Sequence, residues 1–162
     1  MRFNGLVLVA AFAALGACGG GGEKASTDTS AASQPAGGPS GAATGTAAAA
    51  PVTGTVHEVK MLGDEKGYRF DPVDVVIKAG DAVKWTMVTG GPHNVAFQNV
   101  SAAVRAQLSA NMPNQISDLS SPMLLNPNET YQVSFAKVAP GKYEYICTPH
   151  IATNMRGSVT VQ

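Results

Sequence analysis

From Gly54 onward, apolar and polar residues alternate along the chain. Val75 and Ile77 alternate with Asp74 and Lys78, and Ala79-Gly80-Asp81 then reads as a turn. Val83, Trp85 and Met87 alternate with Lys84 and Thr86. Further on, Tyr131, Val133 and Phe135 alternate with Gln132 and Ser134, and Pro140-Gly141 marks another turn. Tyr143, Tyr145 and Cys147 keep the same period, and Val159 with Val161 closes the chain. Period-two spacing punctuated by Gly, Pro and Asn predicts short, half-buried strands. Several of them within about 110 residues predict an all-β sandwich. The exception is Ser101 to Asn111, where Ala, Arg, Gln and Leu favour a short helix.

The pattern is different before Gly54. Residues 19–52 are mostly Gly, Ala, Ser and Thr with a few Pro. Such a segment buries too little apolar surface to offset its ordering entropy, so it is expected to be a flexible tether with a reach of roughly 30 Å. Ahead of it, Arg2 and the uncharged run Leu6 to Leu15 have the layout of a secretory signal. That run falls short of the roughly 20 apolar residues that span a bilayer. Its ending, Leu15-Gly16-Ala17-Cys18, resembles the bacterial lipobox, which implies cleavage before Cys18 and lipidation of that cysteine. An ordinary signal peptide with a chance cysteine is the alternative. The expected organisation is therefore signal peptide 1–17, lipidated cysteine and tether 18–52, and folded domain 53–162, lipid-anchored in a bacterial cell envelope. Gly19 is not the aspartate that resembles an inner-membrane retention signal, which favours the outer membrane.

Charge narrows the function. Eleven Lys and Arg balance eleven Asp and Glu across 162 residues, with no block of one sign. Neither nucleic acid nor an acidic substrate is indicated, and a monomer with weak electrostatic steering is expected. The two cysteines sit in unlike settings, one ending an apolar N-terminal run and one deep in a strand pattern, so each is read separately. Secretion places Cys147 in an oxidising compartment, where an unpaired thiol suggests a role beyond packing. Asn-X-Ser/Thr triplets at Asn99 and Asn128 are short enough to arise by chance.

The run from Cys147 to Met155 has the form Cys-x2-His-x4-Met, with His150 in the middle. His93 lies where one strand pattern ends and the next begins, after Gly90-Gly91-Pro92. Three ligands from one loop and one from another can converge at one end of a sandwich. A thiolate, two imidazoles and a weak axial thioether suit one blue-copper ion. Zinc accepts Cys and His, but a thioether is a poor zinc ligand. Each residue has a plainer reading on its own: surface or core hydrogen bonding for a histidine, core filler for Met155 as for Met61, Met87 and Met123. His57, in an early strand, reads as a surface imidazole.

Phe70-Asp71-Pro72 through Asp81 and on to Pro92-His93-Asn94-Val95-Ala96-Phe97 resembles the plastocyanins, as does Gly141-Lys142-Tyr143 through Cys147-Thr148-Pro149-His150. The two-residue gap between Cys147 and His150 is similar to that of plastocyanins, pseudoazurins and amicyanins. The resemblance implies a Greek-key β-sandwich of the cupredoxin type, with about eight strands, a short helical insertion and copper near one end. It implies ligation by His93 and His150 through Nδ1, by the Cys147 thiolate, and by Met155 as a distant axial ligand. It also implies that Asn94 ties the two ligand loops together. Pro149 has no N–H to offer the nearby thiolate, which bears on the reduction potential. Two departures stand out. Ile146 occupies the place before the cysteine where plant plastocyanins carry an aromatic, with Tyr145 one residue further back, and no acidic docking cluster occurs.

These features lead to the expectation of a periplasmic or cell-surface electron carrier, not an enzyme, that exchanges electrons with a redox protein such as a cytochrome. His57 alone is too little for a second copper centre, and no Gly-x-Ser-x-Gly elbow is present. The alternative is a copper-binding or copper-buffering lipoprotein without a redox partner. Globomycin-treated cells are expected to accumulate a larger, uncleaved precursor of the protein on immunoblots; no shift in size would remove the lipoprotein expectation.

Overall fold

The computed structural model describes residues 49–162; the expected signal peptide, Cys18 and most of the expected tether lie outside the described residues. Eight strands form: β1 (Val56–Asp64), β2 (Gly67–Asp71), β3 (Asp74–Ile77), β4 (Ala82–Met87), β5 (Ala96–Phe97), β6 (Thr130–Ser134), β7 (Gly141–Ile146) and β8 (Arg156–Val161). They make two four-stranded sheets, ordered β2-β1-β4-β6 and β3-β8-β7-β5. The pairs β1/β4 and β3/β8 are parallel and the others antiparallel. This is the expected eight-stranded sandwich. The short helix is also present, as α1 (Ala102–Ala110), with Leu108 buried against the core.

The alternation read from the sequence is the alternation of burial. In β4, Val83, Trp85 and Met87 face inward, and in β7 Tyr143 and Tyr145 do the same ahead of Cys147. Trp85, Phe97 and Phe70 all meet Tyr145 edge to face, at ring-centroid separations of 5.3, 5.7 and 4.8 Å. Such pairs each contribute about 0.5–1.5 kcal/mol beyond the area they bury. Tyr145 is thus a core residue fastened between the sheets, two residues before Cys147. Ile146 is buried as well, so neither residue before the cysteine offers an aromatic at the surface.

The strands fix two poles. At one, Met87 leads into Thr89 and His93, and Ile146 into Cys147. At the other, the Gly80-Asp81 turn meets the start of the described chain: Thr53 and Gly54 N–H both donate to Gly80 O at 3.0 Å. There the Ala50 N–H donates to Asn111 Oδ1 at 2.8 Å, while Asn111 Nδ2 donates to Ser134 O and Ala136 O. Asn99 and Asn128 have left-handed backbones, φ 54° and 71°, a conformation that asparagine tolerates in turns.

Asp81 organises the pole away from the histidine and cysteine loops. Its Oδ2 accepts the Lys78 N–H at 3.0 Å and pairs with His57 Nε2 at 2.8 Å, and its Oδ1 accepts the Thr55 N–H at 2.8 Å. His57 is therefore half-buried and partnered in β1, where the sequence suggested a surface imidazole. The Lys78 amide first, then His57 and Thr55, hold the Asp81 carboxyl at about 2 against an ordinary 3.8. Because the folded value lies below the unfolded one, the stabilisation is complete above about 3.8 and is lost as pH falls through about 2. At neutral pH, Asp81→Asn is expected to be less stable than the parent, since an amide cannot accept all three contacts. Urea midpoints of the two proteins should converge across that acid window. A gap that stayed constant would show that the carboxylate charge is not the cause.

Candidate metal centre

Two loops at one pole carry the candidate ligands. The first follows β4. Within it His93 and Leu124 exchange backbone bonds, His93 N–H to Leu124 O at 3.0 Å and Leu124 N–H to His93 O at 2.8 Å. Next to this rung, Ser121 N–H donates to Val95 O and Val95 N–H donates to Ser121 Oγ, both at 2.9 Å. The His93 backbone is thereby held as firmly as a strand, although only β5 beyond it is regular. The second loop joins β7 to β8 through a 3₁₀ turn, Thr148–Thr153. Cys147 N–H donates to Met155 O at 3.0 Å, His150 N–H to Cys147 O at 3.1 Å, and Met155 N–H to His150 O at 3.2 Å. Asn154 ends the turn with φ 61°, in the left-handed region.

The buried carboxamide of Asn94 joins the loops. Its Oδ1 accepts the Thr148 N–H at 2.7 Å, and its Nδ2 donates to Ser120 Oγ at 3.1 Å and Thr148 Oγ1 at 3.2 Å. Three segments distant in sequence therefore share one side chain.

Within this frame, Cys147 Sγ lies 3.6 Å from His93 Nδ1 and 3.4 Å from His150 Nδ1. All three donor atoms fall within 4.8 Å of one another. His93 and Cys147 are 0% exposed, and His150 is half-buried. His93 Nε2 lies 2.8 Å from Thr89 O, which fixes its ring and leaves Nδ1 turned to the sulfur. Met155 is also fully buried, and its backbone brackets the loop. Pro149 opens the 3₁₀ turn and is exposed.

The electrostatics suit a soft cation. Burial lowers the pKa of His93, opposed by the Thr89 carbonyl, and lowers that of His150, reinforced by His93. Both are held as neutral imidazoles with lone pairs available. Burial pushes the Cys147 thiol up, against the backbone N–H groups of Asn94 and His150. Among the described residues no carboxylate joins the cluster, so a bound cation would be the charge that stabilises the thiolate. One thiolate and two neutral imidazoles fit copper.

Several apolar residues next to the candidate ligands in sequence or backbone pairing are exposed. They include Pro92, Pro149 and Ala152, with Ile151 46% and Leu125 62% exposed. Tyr68, from β2, stacks on His150; the sequence reading passed over it, as it did Thr89, Ser120, Ser121 and Thr148. Polar residues between strands carry no signal of their partners. Tyr68 follows Gly67 directly, and a hairpin register drawn from that turn would have placed it opposite Gly63.

Residues 57–162 match the family described as copper binding proteins, plastocyanin/azurin family. A plastocyanin of Synechococcus sp. is 33% identical over 114 residues, covering 68% of this chain and 76% of that protein. Amicyanin-alpha of Methylorubrum extorquens is 42% identical over 94 residues, covering 58% of this chain and 65% of that protein. The solved oxidised plastocyanin of Dryopteris crassirhizoma has 28% identity and a TM-score of 0.49, covering 65% of this chain and 99% of that one.

Replacing Asn94 with Ala strands the Thr148 N–H and unties the loops. A loss of about 1–3 kcal/mol is expected, the usual cost of an orphaned buried polar group. Urea denaturation of the metal-free protein measures it, and an unchanged midpoint would show that the loops hold without Asn94.

Proposed function

Because this chain belongs to the plastocyanin/azurin family of copper-binding proteins, we propose that it is a one-electron carrier rather than an enzyme. The observation that carries the proposal is the convergence of the Cys147 sulfur and two Nδ1 atoms, from separate loops, within 4.8 Å. His93, Cys147 and His150 would hold the copper, with the buried Met155 thioether as a further donor. Copper bound there supplies a Cu(I)/Cu(II) couple.

The protein's part is to keep its donors still. Cu(I) and Cu(II) favour different coordination geometries, so any rearrangement between them slows exchange. His93 is pinned by Thr89 and Leu124, Cys147 by the Met155 carbonyl, and both loops by Asn94. Neutral imidazoles need lose no proton before binding. The half-buried His150 is the ligand nearest solvent, and the apolar surface around it serves as the electron port. Contact there excludes water without an obligatory charge pair, which agrees with nine basic and nine acidic side chains from residue 53 onward. The partner is a redox protein, for example a cytochrome. The setting is the bacterial cell envelope, with Cys18 as the lipid anchor, and the lipobox-like ending is what supports that setting.

On adding Cu(II), the protein is expected to develop an intense blue thiolate-to-copper band, and Cys147→Ser is expected to lose it. Reversible one-electron voltammetry should follow. A colourless wild type would overturn the proposal, and a blue protein with sluggish electron exchange would instead be a copper-buffering one.

A further inference from the structure

The two histidines of the centre are secured in different ways. His93 has the usual second support, its far nitrogen resting on the Thr89 carbonyl at 2.8 Å. Metal-binding imidazoles are commonly fixed by such a contact. His150 Nε2 makes no hydrogen bond among the described residues, and His150 is the ligand nearest solvent. Its support is a ring. Tyr68 lies parallel to the His150 imidazole, with centroids 3.7 Å apart and planes 14° apart. The same ring meets His93 nearly edge-on, at 6.2 Å and 70°.

Tyr68 is held in this place by its neighbours. It sits opposite Gly63 in the β1/β2 register. A Cβ on Gly63 would come within 2.6 Å of Tyr68 Cε1 and 2.8 Å of Gly90 Cα. Gly90, at φ 76°, presses its own backbone on Gly63, where a Cβ would meet Cα at 2.4 Å. One glycine on β1 and one in the His93 loop thus open the slot in which the aromatic ring lies flat. Tyr68 as a whole remains 37% exposed.

The geometry points to Tyr68 as the positioning residue of His150: its stacked ring replaces the missing hydrogen bond and holds the imidazole plane fixed in both oxidation states. This rests on the copper reading above. Stacking needs the ring and not the hydroxyl, so Tyr68→Phe should behave as wild type and Tyr68→Leu should not. A residue that merely filled space would affect stability and leave ring order and exchange rate alone.

The test uses the copper-loaded protein, its blue band confirming the centre in every variant. The electron self-exchange rate is read from NMR line broadening in Cu(I)/Cu(II) mixtures, and the order of the His150 ring from relaxation of its resonances in the reduced and metal-free protein. Tyr68→Leu is expected to slow self-exchange by about tenfold or more, since loosened positioning costs rates of this order. It should also broaden the His150 ring signals while those of His93 stay sharp, and Tyr68→Phe should restore both. If Tyr68→Leu does not fold, Tyr68→Met, which keeps much of the volume without an aromatic ring, should show the same two changes. A blue variant lacking the stacked ring, with wild-type exchange and a well-ordered His150, would overturn the assignment. A wild type that never turns blue would instead overturn the copper reading beneath it.

Discussion

The arrangement of the centre rests on one buried carboxamide. Asn94 is buried, and it gives both ends of its amide to partners outside its own loop. The Thr148 N–H it accepts stands one residue after Cys147, and the Ser120 hydroxyl it reaches belongs to the segment that flanks His93. An amide buried without such partners would be a net loss to the fold, so the satisfied geometry is strongly selected over alternatives. The same bonds that make Asn94 affordable inside the protein bring the sulfur and the first imidazole to one place.

Desolvation then sets the chemistry. The donors are packed where charge is unwelcome: the histidines are biased to neutrality and the thiol to its protonated form. A site built in this way repels charge until a cation offsets the thiolate. Rigidity and dryness come from the same packing, because the strands that immobilise the loops also exclude water from them. Tyr68 belongs to this arrangement, lying on the one ligand that the core does not enclose.

The sequence revealed the parts that are local. Cys147, His150 and Met155 stand within nine residues, so their spacing is legible without a fold. Burial in β4 and β7 followed the period-two pattern, and the expected helix at 101–111 formed at Ala102–Ala110. Contacts made by chain segments remote from one another left no such trace. Tyr68 looks like any strand aromatic until the hairpin register places it over Gly63. His57 reads as a surface imidazole because nothing nearby in sequence announces Asp81, 24 positions away. The small residues before Gly54 read as tether through residue 52, yet Ala50 is buried, since its partner Asn111 lies 61 positions further on.

That docking of Ala50 has a geometric corollary. Ala50 sits beside the Gly80 turn, whereas His150 caps the opposite pole, about 20 Å away along the β4 axis. The described chain thus enters the domain at the pole opposite the histidine and cysteine loops. Contact made at the Cys147–His150 pole therefore leaves Ala50 and the Gly80 turn uncovered.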